Sequence, residues 1–288
     1  MKAFFTLGKL SAEEKNLLLK KQITDAKTPD QWLAFFQKLR DFDKESDSTR
    51  KWTGGIGCAG FFVIFFSFFL MAIYVGFLTI FIGLFMVIAG LAAYFYIKKY
   101  DIPGEVLTNT LIPILKILRE EMKPSELLKL KLDLRGFALK EKLTNQSQPY
   151  QRGAYYSIID YFYKDQWFDG ETVLADGTIL KWNVFDYAKQ SKKSKRTPRG
   201  KYKSKTKNKH RSFISMTVGM HEKKYELPEK LKQKDQVGNI RTKESGDYNW
   251  MNIKKMIKHW EGQTFSAQDF ANAVAIAYTR ATPTGGKK

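Results

Sequence analysis

The sequence is poor in the residue types that most chemistry requires. It has one cysteine, Cys58, inside an apolar run, so a disulfide within the chain is excluded and a thiolate metal site has no basis. Its three histidines, His210, His221 and His259, are scattered without metal-ligand spacing. It also lacks a glycine-rich phosphate loop, a nucleophile elbow and a zinc-binding helix motif. The one grouping of carboxylates suited to a divalent cation is Asp165, Asp169 and Glu171, with Asp160 and Asp176 nearby in sequence. Asp169-Gly170 and Asp176-Gly177 are better explained as turns. The expectation is a protein that is not an enzyme, with no catalytic residue, no metal and no cofactor.

Charge is missing from one long stretch. Between Trp52 and Ile97 there are 46 positions without an acidic or basic residue. A membrane-crossing helix needs ~20 apolar residues, so the run predicts a two-helix hairpin turning near Tyr74-Val75-Gly76. Arg50 and Lys51 precede it and Lys98 and Lys99 follow it, while the turn carries neither Lys nor Arg. By the positive-inside rule both termini are expected in the cytoplasm, and the protein is expected to be integral to a membrane, with the bacterial inner membrane the best fit. The 51 largely polar residues before the run argue against a signal peptide. No Asp, Glu, Lys, Arg or His lies within the run, which argues against a transporter. Gly76, Gly83 and Gly90 recur every seven residues along the second span, a spacing that sets small residues on one face for close packing within the hairpin or between copies of the chain.

Acidic residues are scarce relative to basic ones. The 288 residues include 49 Lys and Arg against 29 Asp and Glu, a formal charge of +20 that favours anionic partners. The excess concentrates between Lys189 and Arg211, where twelve of 23 residues are basic and none is acidic. Within it, Lys201, Lys203, Lys205, Lys207 and Lys209 alternate with Tyr202, Ser204, Thr206 and Asn208. Alternation is the period of a strand, whose side chains point to opposite faces. Thr197-Pro198-Arg199-Gly200 at the centre is a turn sequence, so the segment is expected to fold back as a long basic β-ribbon. The candidate anion-binding residues are Lys192, Lys193, Lys195, Arg196, Arg199, Lys201, Lys203, Lys205, Lys207, Lys209 and Arg211.

The rest of the chain reads as α+β. Ser11-Ala-Glu-Glu14 and Thr28-Pro29-Asp30-Gln31 are helix starts, the first followed by Leu17, Leu18 and Ile23, the second by a stripe of Trp32, Phe35, Phe36, Leu39 and Phe42. A helix from Glu105 to Met122, kinked at Pro113, precedes the alternation Leu128-Lys-Leu-Lys-Leu-Asp-Leu-Arg135, which predicts a half-buried strand continuing through Phe137 to Leu143. Asp176-Gly177 predicts a hairpin. Ile214, Met216, Val218 and Met220 predict another strand. The stripe Trp250, Ile253, Ile257 and Trp260 predicts a helix, and Ser266-Ala-Gln-Asp269 caps a second.

These readings give a membrane protein of α+β class: an amphipathic helical arm (1–51), a transmembrane hairpin (52–97), a linker and helix (98–124), and a mostly antiparallel, β-rich cytoplasmic domain with C-terminal helices (125–288). The function expected is that of a non-catalytic, membrane-anchored scaffold or assembly subunit, self-associating, whose ribbon docks acidic lipid or an acidic protein surface. One alternative is a membrane effector in which a cytoplasmic sensing domain controls a pore-forming or bilayer-disrupting hairpin. The other is a membrane-tethered nucleic-acid binder.

Overall fold

The computed structural model describes residues 2–70, 76–197, 199–227, 233–235, 238–257 and 265–284. The fold is α+β, with a largely antiparallel sheet and two long apolar helices. The chain divides into two compact units, Met1–Lys21 with Ala34–Thr108, and Gln22–Leu33 with Asn109–Lys288.

The first unit is helical. Helix α1 (Lys2–Lys9) leads to α2 (Ala12–Lys20), which starts at the capping box read from the sequence: the Glu14 amide donates to Ser11 Oγ (3.1 Å) and the Ser11 amide donates to Glu14 Oε2 (2.6 Å). It stops short of Ile23 because Lys21 takes a left-handed conformation with φ 56°. Helix α3 (Pro29–Leu70) then runs for 42 residues, ~63 Å at 1.5 Å per residue. The amphipathic stripe and the apolar run therefore belong to one helix, with nothing between them to break it. Trp32, Phe35, Phe36, Leu39 and Phe42 are all buried. Helix α4 (Gly76–Lys98) returns, and a single turn, α5 (Gly104–Val106), follows. Both α3 and α4 contain stretches long and apolar enough to cross a membrane. The expected turn at Tyr74-Val75 lies outside the described residues.

Two of the recurring glycines sit where α3 and α4 touch. A methyl group on Gly83 would lie 2.7 Å from Ile64 Cγ1 and 2.9 Å from the Gly60 carbonyl oxygen. On Gly90 it would lie 2.8 Å from the Gly57 nitrogen and 2.9 Å from the Thr53 carbonyl oxygen. Both are tighter than any real carbon contact, so these glycines serve packing inside the hairpin.

The second unit is built on a sheet ordered β1-β2-β5-β6-β7-β11-β10-β9, with β3 and β4 also on β5. The strands are β1 (Gln22–Lys27), β2 (Leu128–Asp133), β3 (Leu143–Gln146), β4 (Tyr150–Arg152), β5 (Tyr155–Val173), β6 (Ile179–Arg196), β7 (Tyr202–His221), β9 (Gln233–Asp235), β10 (Gly238–Ser245) and β11 (Tyr248–Ile257). Short strands β8 (Tyr225–Glu226) and β12 (Thr282–Pro283) pair separately. All these pairings are antiparallel. One face is the core. Phe168, Val184 and Ile214 lie in register across β5, β6 and β7, as do Thr172, Leu180 and Val218, with Met251 and Ile253 on β11 beyond them. Helices α6 (Ile112–Glu121) and α7 (Ala267–Arg280) contribute Ile114, Leu118, Phe270 and Ala273 to the same core, and Phe270 meets Trp182 edge-on at 5.1 Å. Gly170 has no side chain because the Trp182 ring occupies that space.

The Asp176-Gly177 hairpin forms as read, with Gly177 at φ 89°. Its aspartate does more than turn the chain. Its carboxylate accepts from the Thr178 amide (2.8 Å) and hydroxyl (2.9 Å), and from the Tyr225 and Tyr278 hydroxyls (both 2.9 Å). Burial opposes the charge on Asp176, but these donors outweigh it and hold the pKa below the usual carboxylate value.

Several elements differ from the sequence reading. Trp250 to Ile257 is strand β11 and not a helix: Met251, Ile253 and Ile257 face the core, while Trp250 covers Gly219 on the opposite face. Lys255 interrupts the alternation that marks a strand. Trp260 lies outside the described residues. Phe137 to Leu143 is a loop ending in a 3₁₀ turn (Lys140–Lys142), which directs Lys142 inward. The helix expected from Glu105 to Met122 is interrupted by a π turn (Leu107–Leu111) just before Pro113, whose missing N–H cannot continue the α pattern. Strand β1 was not anticipated, since Gln-Ile-Thr-Asp-Ala-Lys shows no apolar alternation.

Gly83→Leu and Gly90→Leu should each destabilise the purified full chain by ~1–3 kcal/mol, the usual cost of overpacking. Gly54→Leu and Gly55→Leu, where nothing lies within 4 Å, should not. Denaturant titration followed by circular dichroism measures the difference.

Candidate anion-binding face

The basic segment is ordered by its pairing. Strands β6 and β7 stay in register without interruption from Ile179↔Gly219 to Arg196↔Tyr202. The connecting turn has the Gly200 amide donating to the Thr197 carbonyl (2.9 Å) and Gly200 at φ 78°; Pro198 lies outside the described residues. The segment is not a two-stranded ribbon, however. Strand β5 accompanies β6 as far as Ser157↔Ser194, and β4 lines its other edge.

Register assigns each basic residue to a face, because directly paired residues in an antiparallel ladder point the same way. Lys193↔Lys205 and Lys195↔Lys203 share one face, with Lys189↔Lys209 and Ser191↔Lys207 further down. Arg211, paired with Tyr187, continues that face. Lys192 and Arg196 point the opposite way, toward Thr206 and Tyr202, and Arg199 and Lys201 belong to the turn. Of the eleven residues read from sequence, seven are thus brought together: Lys193, Lys195, Lys203, Lys205, Lys207, Lys209 and Arg211. Lys189 joins them.

Their charges are unequally engaged. Lys189 Nζ lies 2.7 Å from Asp160, which also accepts from Ser191 Oγ (2.5 Å) and the Tyr150 hydroxyl (2.9 Å). Burial works against this carboxylate, yet the three donors keep its pKa low. Lys193 and Lys195 lie 5.5 Å and 6.0 Å from the centre of the Tyr155 ring. Lys203, Lys205, Lys207 and Lys209 are exposed, and among the described residues none has an acidic partner.

The same face runs back to a group of rings. Phe185 and Phe213 stack at 5.5 Å with planes 4° apart, and Tyr187 stands edge-on to both at 5.5 Å and 5.3 Å. Lys164 Nζ sits 5.2 Å above Phe185. Sequence reasoning passed over this group, although the signal was present: Phe185, Tyr187 and Lys189, like Lys209, Arg211 and Phe213, are two residues apart on one strand.

No family model, curated protein or solved structure matches the chain.

The carboxylates considered for a cation do not converge. Asp169 bonds Gln166 and Asn183, Asp160 bonds Lys189, and Asp176 holds its tyrosines. Among the described residues no group of three or more His, Cys, Asp or Glu has metal-binding geometry. Asp165 instead faces the opposite side of the sheet from the lysines. There it meets Lys142 Nζ at 2.6 Å, and Lys142 also lies 3.2 Å from Asp133. Burial raises the Asp165 pKa despite Lys142, whereas hydrogen bonds from Arg135 and Lys142 overcome burial at Asp133 and hold it far down. Asp186, paired with Asp165 across the ladder, accepts from the Ser212 hydroxyl. Burial pushes its pKa up to about 6, with the Asp165 charge adding to the effect.

That shift has a defined sign. A folded-state pKa above the unfolded value of 3.8 means that ionising Asp186 opposes folding. The penalty is absent below pH 3.8, grows as pH rises to about 6 and is constant above. At ~1.4 kcal/mol per unit it amounts to about 2–3 kcal/mol at neutral pH. Asp186→Asn, which keeps an acceptor for Ser212, should stabilise the full chain by about that amount at pH 7.5. The gain should be mostly lost at pH 4, as read by denaturant midpoints at the two pH values.

Proposed function

We propose that the chain is an integral membrane protein whose sheet domain, held in the cytoplasm, docks a phosphate-bearing polyanion on its lysine face and performs no chemistry of its own. The observation that carries this reading is the co-facial row of Lys203, Lys205, Lys207 and Lys209, exposed and without acidic partners among the described residues, beside Lys193 and Lys195. Alternate residues on a strand are ~6.8 Å apart, so the row is a line of single charges suited to a partner that is itself linear and anionic.

The membrane assignment draws on the surface of the hairpin. Phe61, Phe62, Phe65, Phe66, Phe68 and Phe69 on α3 are 59–70% exposed, and Phe85 on α4 is 72% exposed. A core helix of a soluble protein buries such residues; here only 22% of each apolar window is buried. An apolar surface of that extent is stable in hydrocarbon and not in water. Basic residues at the hairpin's two ends favour termini on the cytoplasmic side. In a Cys58→Ser background, Lys44→Cys and Ser204→Cys should react with a membrane-impermeant maleimide only after cells are opened; labelling of intact cells would reverse the orientation.

The docking reading is tested with the full chain in zwitterionic nanodiscs. Changing Lys203, Lys205, Lys207 and Lys209 together to Gln should weaken binding of polyphosphate by more than tenfold and flatten its salt dependence. Adding Ser204→Lys, Thr206→Lys and Asn208→Lys to that variant restores three charges but turns them to the other face. Recovery of full affinity would reject the ordered face and leave only net charge.

A further inference from the structure

The ring group of Phe185, Tyr187 and Phe213 lies on the same sheet face as the lysine row and needs a role of its own. Core rings of this domain, such as Trp182 and Phe168, are on the opposite face and buried. Tyr187, by contrast, is 43% exposed, and so is Met256, which pairs with Phe213. Tyr187 is flanked in register by two cations, Lys164 on β5 and Arg211 on β7. An exposed tyrosine ring set edge-on against two stacked phenylalanines and bracketed by cations, continuous with a line of lysines that have no acidic partner among the described residues, combines the two elements that hold an unpaired strand: a ring face for a base and positive charge for the backbone.

We infer that the polyanion docked on this face is single-stranded nucleic acid, with a base stacked at Tyr187 and its backbone following Arg211, Lys209, Lys207, Lys205 and Lys203. This rests on the polyanion-docking reading and narrows it to one class of partner. A duplex does not suit the ring group, since its bases are already stacked on each other and withheld from side chains. A bilayer suits it poorly as well. The rings sit in the middle of a sheet, half-buried by their neighbours, and the same face carries Asp160, Asp169 and Glu171, which a flat anionic surface would have to approach. A strand can run along β7 and leave those carboxylates to one side.

The test compares three probes of matched phosphate number on the full chain in zwitterionic nanodiscs: a single-stranded oligouridylate, an abasic oligodeoxynucleotide and polyphosphate. The oligouridylate should bind about tenfold tighter than the abasic strand, the increment of one stacked base. Tyr187→Leu, at an exposed position where folding tolerates the change, should remove that preference while leaving polyphosphate affinity and salt slope unaltered. Tyr187→Trp should retain it. Equal binding of oligouridylate and abasic strand, or indifference to Tyr187→Leu, overturns the inference while leaving polyanion docking in place. Preference for vesicles of phosphatidylglycerol over every oligonucleotide, reduced by Tyr187→Leu, overturns it in favour of lipid. Failure of all three probes to bind, or binding unaffected by the four lysine-to-glutamine changes, overturns the docking reading itself.

Discussion

The unbroken ladder between β6 and β7 is the constraint on which the rest of the sheet unit depends. Eighteen consecutive pairs hold one parity from Ile179↔Gly219 to Arg196↔Tyr202. Parity fixed at one end is therefore fixed at the other. Burial of Leu180, Trp182 and Val184 in the core commits Asn183, Phe185, Tyr187, Lys189, Lys193 and Lys195 to the open side, and the same holds for Met216 and Ile214 against Phe213, Arg211 and the lysines of β7. The apolar core thus orients charges far from it, through backbone hydrogen bonds alone. A slip of one residue would expose the core and turn the lysines to the other face, so the cost of misregister is set by the core and not by the weakly specified basic end.

Strand β5 follows a different rule. A bulge between Gln166 and Phe168 shifts its parity, so Trp167 and Phe168 are adjacent and both buried. Above the bulge, Asp165 and Tyr163 face the side that Phe168 and Gly170 face below it. The apolar core ends at this level: Val184 and Ile214 give way to Asp186 and Ser212, and the end of β2 at Asp133 with the following loop carrying Arg135 and Lys142 surrounds Asp165. A buried row of this kind contributes little net stability, because desolvation of each charge offsets its attraction to the next. Its effect is to mark where hydrophobic packing stops and a hydrogen-bonded sheet continues without a core of its own.

Legibility in the sequence followed from whether the partner of a residue was local. The capping boxes at Ser11 and Ser266, the Asp176-Gly177 turn, the alternation of Leu128 to Leu134 and of the β7 lysines, and the uncharged run all rest on neighbours within a few residues, and each was readable. Strand β1 was not, because only pairing with β2, more than a hundred residues later, makes Gln22–Lys27 a strand. Trp250–Ile257 misled because Lys255, paired with Ile214, stands on the core face where the alternation of a strand calls for an apolar residue, leaving Trp250, Ile253 and Ile257 at helical spacing. The candidate lysines were legible as a face, but the division between Lys192 and Lys193, and the membership of Phe185, Tyr187 and Phe213, required the register of three strands.

The position of β1 in the chain has a consequence for biosynthesis. Gln22 pairs with Asp133, so the strand leaves the ribosome before the apolar helices and meets its partner only after both have been made. For that interval its amides and carbonyls have no ladder to join, whereas β5, β6 and β7 are joined by short hairpin connections. The edge strand β1 therefore waits for β2, whose residues are made more than a hundred positions later. The loop of chain that the β1–β2 pairing closes contains both long apolar helices.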